Sequence, residues 1–220
     1  MNKILKTFLL GIGAGAAIGV GSFLFTICAS YSNKVLGSVL FAVGLFTVCF
    51  FGLFLYTGKI GYFLDNKEKK KYAFDLLVGY IGNIVGAVAL GFLLRLILVN
   101  FNGQTLEGIK KIVASRMIDI GQGGSPFTNQ LGTSFFCGCL VYLAVHFWKK
   151  KWHFIIRTLI LVLCVFLFVY LGFEHCIANM FYFSYGNAWN PQSLLNILVV
   201  TIGNSLGALL VRLIVVSSKN

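Results

Sequence analysis

Gly172-Phe-Glu-His-Cys-Ile-Ala-Asn-Met180 places two adjacent ionisable side chains, Glu174 and His175, inside an apolar run from Thr158 to Ser184. A run of that length suits a bilayer, which takes about 20 apolar residues per crossing helix. An ionisable group at membrane depth costs a few kcal/mol or more, so it faces a protein interior or a solute path. Neighbours on a helix point about 100° apart, so Glu174 and His175 cannot share one stripe. Either the pair divides between two environments or the helix breaks there. Both readings point to a pore or transport site.

Composition agrees. Hydrophobic residues make up 58% of the 220-residue chain and charged residues only 11%, with a mean hydropathy of +0.88. A soluble domain carries about 25% charged residues, so the chain reads as an integral membrane protein with almost nothing left for a soluble domain. The net charge of +12 lies in short hydrophilic segments between apolar spans. That pattern reflects membrane topology, and nucleic acid is not an expected partner. The apolar run Thr7 to Ser30 is too long for a signal-peptide core and reads as a retained first span. The six cysteines, Cys28, Cys49, Cys137, Cys139, Cys164 and Cys176, lie in or beside apolar spans without metal-ligand spacing. They read as small packing residues; no metal and no cofactor is expected.

Six apolar segments are long enough to cross: Thr7–Tyr31, Leu36–Leu64, Tyr72–Val99, Leu131–Trp148, Thr158–Ser184 and Leu194–Val216. They make residues 1–220 a single six-span transmembrane domain. Lys3 and Lys6, the run 65–71, the Lys149 to Arg157 segment and Lys219 all fall on one side. The positive-inside rule makes that side, with both termini, cytoplasmic. The only long loop, 100–130, lies opposite and holds Lys110, Lys111 and Arg116.

Ile81-Gly-Asn-Ile-Val-Gly-Ala87 in span three returns as Ile202-Gly-Asn-Ser-Leu-Gly-Ala208 in span six. Small residues four apart let helix backbones approach closely, and the shared Asn adds a polar signature. Three spans per copy forces the halves into opposite orientations. The expected fold is therefore all-α, an inverted 3+3 repeat with spans two and five broken near the midplane. The interruptions are expected at Gly52–Gly58 and Gly172–Asn179. Half-helix amino termini there present free N–H groups that suit an anion. Thr57 offers either a pore hydroxyl or a helix cap. Lys59 reads as snorkelling toward the cytoplasmic interface. Glu174 is expected to anchor its loop by accepting backbone N–H bonds. His175 can hold a proton for a passing anion, or stay neutral in an apolar pocket. His146 and His153, flanking the cytoplasmic end of span four, are expected to matter little.

These residues resemble a family. Gly172-Phe-Glu-His-Cys-Ile-Ala-Asn-Met180 is similar to the span-five signature of the formate/nitrite transporters, Leu55-Tyr-Thr-Gly58 to their span-two loop, and Ile202-Gly-Asn-x-x-Gly207 to their span six. The resemblance covers nearly the whole chain. It implies an aquaporin-like six-helix protomer in a homopentamer, one pore per protomer, passing small monovalent anions such as formate, nitrite, lactate or hydrosulfide. By the same resemblance Thr57 and His175 match the pore-centre pair and Glu174 the adjacent acid. Phe41, Leu45, Leu55 and Phe168 match the apolar constrictions. The chain departs from the family's pattern at Phe54, where an acidic residue is common, at Cys176, where Ser is usual, and at Gly138, where span four carries a pore-side Asn. The anion-attracting Lys before span four falls on Gln122, or on Arg116 if Gln122–Ser125 is an insertion.

The leading expectation is thus a pore or proton-linked carrier for a small monovalent anion in the cytoplasmic membrane. Arg116 and Lys59 would attract the solute, and protonation near His175 would let it cross as a neutral acid. The alternative on the same fold is a channel for a small neutral polar solute. A membrane enzyme is not expected, because no nucleophile–base pair is present.

Overall fold

A computed structural model describes residues 2–98, 103–117 and 126–218. All regular structure among them is helical: α1 (Lys3–Ser30), α2 (Lys34–Phe50), α3 (Tyr56–Lys59) continued by a 3-10 turn (Ile60–Phe63), α4 (Lys69–Leu98), α5 (Gly103–Arg116), α6 (Phe127–Trp148), α7 (Phe154–Tyr170), α8 (Cys176–Tyr185) and α9 (Pro191–Ser217). By length and composition α1, α4, α6 and α9 can each cross a membrane. The apolar helices α2 and α7 have 17 residues each. At 1.5 Å per residue they reach about 25 Å, short of a hydrocarbon core of about 30 Å. Each stops at a break and is followed by a shorter helix.

The two breaks are built alike. Gly52 and Gly172 take the left-handed backbone, with φ of 65° and 76°, which only glycine adopts without strain. The next N–H turns back onto the ended helix: Leu53 N donates to Val48 O at 2.9 Å, and Phe173 N to Phe168 O at 2.8 Å. This glycine stop satisfies carbonyls that a helix end otherwise orphans. An extended triplet follows, Leu53-Phe54-Leu55 in one half and Phe173-Glu174-His175 in the other. The breaks are shorter than the sequence reading has them. Gly58 lies inside α3 and Asn179 inside α8, because the helices restart as soon as a side chain from another element accepts their first N–H.

That acceptor is the shared asparagine. Asn83 of α4 accepts from Tyr56 N at 2.9 Å and donates to Gly11 O and Phe54 O. Asn204 of α9 accepts from Cys176 N at 3.0 Å and donates to Ser134 O and Glu174 O. Each buried amide thus latches a broken loop to two helices. Glycines let those helices close: a Cβ on Gly15 would run into Asn83 O and one on Gly138 into Asn204 O, while Gly86 meets Ile12 O and Gly207 meets Phe135 O in the same way. Gly138 therefore faces α9, leaving no room there for the family's pore-side Asn.

The segment read as a long loop contains α5. Its Thr105, Ile109 and Val113 are buried, against α1 and α8. The apolar spacing of Leu106, Ile109, Ile112 and Val113 carries that signal. On the face that carries the termini, Arg212 pairs with Asp65 and donates to Tyr142 Oη. His146 is buried there, 3.4 Å from the hydroxyls of Tyr62 and Tyr142. It belongs to a joint between the half-helix, α6 and α9.

Candidate functional site

The breaks meet at two side chains. Thr57 Oγ1 lies 2.8 Å from His175 Nε2, and both residues are buried, at 0% and 2% exposure. His175 is also the cap of α8: its Nδ1 accepts from Ala178 N at 3.4 Å. An accepting Nδ1 carries no proton, so the neutral ring holds its proton on Nε2 and donates to Thr57. A charged imidazolium would need an acceptor at Nδ1, where the structure provides a donor. Thr57 is not the cap of its helix, since the residue preceding α3 is Leu55 and the first N–H of α3 is accepted by Asn83. Its hydroxyl faces the histidine.

Glu174 sits beside this pair and faces away from it. Its Oε2 accepts from Asn179 Nδ2 and Asn196 Nδ2, each at 2.8 Å, and lies 3.6 Å from Arg116 Nη1. Side-chain amides therefore hold the carboxylate, where backbone N–H groups were expected. Asn196 is tied on to Gln130, and Gln130 Nε2 donates to Arg116 O. Asn196 and Gln130 were not singled out from the sequence. Their signal is weaker, as uncharged polar residues near the starts of apolar helices.

Cavities open on both sides. The one remote from the termini, about 340 Å3, is lined by Lys34, Phe41, Arg116, Phe168, Glu174 and His175, among others. Phe41 and Phe168 meet in its wall, ring edge against ring face with centroids 5.5 Å apart. Arg116 also lies over the Tyr182 ring at 5.2 Å, so of the two expected anion-attracting positions before α6 it reaches the cavity. Gln122 lies outside the described residues, as does Lys219. The second cavity, about 200 Å3, opens on the termini side and is lined by Leu55, Lys59, Lys149 and Trp148, among others. Leu45 is buried at 1% exposure and lines neither cavity. Arg116, Phe41, Phe168 and His175 thus share the first cavity, Thr57 meets His175, and Leu55, Lys59 and Lys149 share the second. Apolar side chains stand on either side of a buried polar pair, and a cationic group lines each cavity.

Apolar helices of crossing length, two interrupted helices meeting at buried polar groups and a cavity on either side define a multi-pass membrane protein of the transporter or channel type. The chain matches the formate/nitrite transporter family over residues 1–218 and belongs to it. A probable formate transporter of Methanothermobacter thermautotrophicus is 28% identical, over 92% of this chain and 84% of that protein. The formate channel FocA of Haemophilus influenzae is 25% identical over 80% of this chain; the match spans 64% of FocA's own length. A pentameric formate channel solved with formate bound superposes with a TM-score of 0.73 at 24% identity, over 98% of this chain and 95% of that one.

Proposed function

We propose that this chain forms a pore or proton-linked carrier for a small monovalent anion of the formate, nitrite, lactate or hydrosulfide class. The observation that carries the reading is the buried Thr57–His175 hydrogen bond at the meeting point of the two breaks. Dehydrating a whole anion between the Phe41/Phe168 and Leu55 seals is very costly. A neutral acid meets no such barrier. Arg116 raises the local anion concentration at the mouth, and the solute takes up a proton from solvent water as it approaches the neutral His175 and returns it to solvent on the far side. Family membership favours an anion over the neutral-solute alternative and over an enzyme.

In the same reading residues 1–220 form one six-span domain, with the α2–α3 and α7–α8 pairs each counting as one broken span. The halves are inverted copies, supported by their matching asparagine latches and by α1 and α6 starting on opposite faces. Both termini face the cytoplasm, the protein spans the cytoplasmic membrane, and five copies assemble, a number supported by the pentameric relative, with one pore in each. Uptake into proteoliposomes tests the function, with formate, nitrite, lactate and hydrosulfide against urea. We expect saturable uptake of one or more of the acids, faster at lower pH, and none of urea. Urea uptake without acid uptake would overturn the reading.

A further inference from the structure

The two halves differ at one position that changes the electrostatics of the pore. Glu174 occupies the middle of the second extended triplet, and Phe54 stands at the same place in the first. Glu174 lies against Arg116, so the cavity remote from the termini holds a cation with a carboxylate beside it. Phe54 brings no charge. Its ring instead fills the space at Gly79, and Lys59 Nζ lies over it at 4.8 Å. Lys149 Nζ lies 3.7 Å above the Tyr62 ring. Rings hold both ammonium groups in place without neutralising them. Among the described residues neither lysine is ion-paired and no acidic one lines their cavity.

We infer that the termini-side cavity is an anion-holding site of its own, in which Lys59 and Lys149, on separate elements, take one small carboxylate or other monovalent anion between them. Like charges sharing a small cavity walled by apolar side chains repel strongly, and an anion relieves both. The cavity of about 200 Å3 accommodates a carboxylate of a few atoms. The site lies beyond Leu55 from His175, so it holds the solute as the anion, after or before its proton is exchanged. This deepens the proposed function and rests on it for the identity of the solute, while the binding itself stands on the lysine pair.

Lys149 stands at the exposed rim, yet its pKa is pulled down to about 8, first by desolvation and then by Lys59. The other groups around it are Cys49 on α2, Tyr62 on the 3-10 turn, Arg212 on α9, Asp65 in the following loop, and His146 and Tyr142 on α6. Asp65 is engaged by Arg212. Lys149 is therefore charged below about pH 8 and loses its charge as pH rises through that value.

Trp148 lines the cavity and provides a direct readout. In a variant with Trp152→Phe and Trp189→Phe, Trp148 fluorescence reports the site alone. We expect iodide, an anionic quencher, to quench it several-fold better than neutral acrylamide at pH 6.5. Formate should compete, and the advantage should fall as pH passes about 8. Lys59→Gln and Lys149→Gln should each remove most of the iodide advantage and leave acrylamide quenching unchanged. Lys149→Arg should keep the advantage to higher pH. Arg157 is the rival cation, 5.2 Å from the Trp148 ring. Loss of the advantage in Arg157→Gln but not in the lysine variants would overturn the inference. So would iodide quenching indifferent to both lysines. Because the readout needs no transport, a quenching failure beside normal formate uptake sinks the site alone, and the reverse result sinks the proposed function alone.

Discussion

At the residue scale, His175 does two jobs that a single substitution confuses. It donates to Thr57 and it caps α8. Asparagine is a good cap without a titrating ring, so His175→Asn separates the two. We expect His175→Asn and His175→Phe both to lose most proton-linked uptake and to flatten its pH dependence. His175→Asn should keep more of the thermal stability. Thr57→Val removes one hydrogen bond, worth about 0.5–1.5 kcal/mol net, and should weaken uptake less. Uptake into proteoliposomes across a pH series decides it: a normal rate and unchanged pH profile in His175→Asn would reduce the histidine to a cap. Thr57, Glu174 and His175 were legible in the sequence, because chemistry-bearing residues are conspicuous in an apolar run. The direction Glu174 faces was not, since Asn196, which donates to it, and Arg116, which lies beside it, come from other helices.

At the element scale, the breaks are cooperative devices, each made of a left-handed glycine, an extended triplet and an asparagine from a third helix. The glycine stops could be read from Gly52 and Gly172. The restarts could not, because they depend on Asn83 and Asn204, remote in sequence. Likewise α5 was read as loop, its polar exposed side masking a short apolar stripe. The close helix pairs give a sharp comparison within α6. Gly138 faces the Asn204 carbonyl, whereas Gly132 has open space where a side chain would go. Gly132→Ala should be neutral or stabilising, by up to about 1 kcal/mol, because alanine suits a helix interior better. Gly138→Ala should destabilise by about 1–3 kcal/mol, the usual overpacking cost, with α9 pushed away from the latch. Thermal unfolding in detergent reads both, and equal stability of the two variants would show that the α6–α9 contact is looser than the geometry implies.

At the scale of the whole molecule, both cavities and every group between them belong to one chain. Assembly would therefore serve to shield apolar surface, which is abundant: Leu96, Leu159, Leu194 and Leu198 are among the strongly exposed side chains. The two propositions, five copies and one independent pore in each, can be tested together. Native mass measurement in detergent should give five chains per particle, and a stable monomer or dimer as the sole species would refute the assembly. Mixed particles should then be made by co-expressing the unaltered chain with His175→Asn at known ratios. If each chain conducts alone, uptake falls in proportion to the fraction of unaltered chains. If the solute instead ran along an axis shared by five copies, one altered chain would impair its whole particle. Uptake would then fall far faster than the fraction, roughly as its fifth power for full dominance. A linear dependence is the expected result, because His175 meets Thr57 within a single chain.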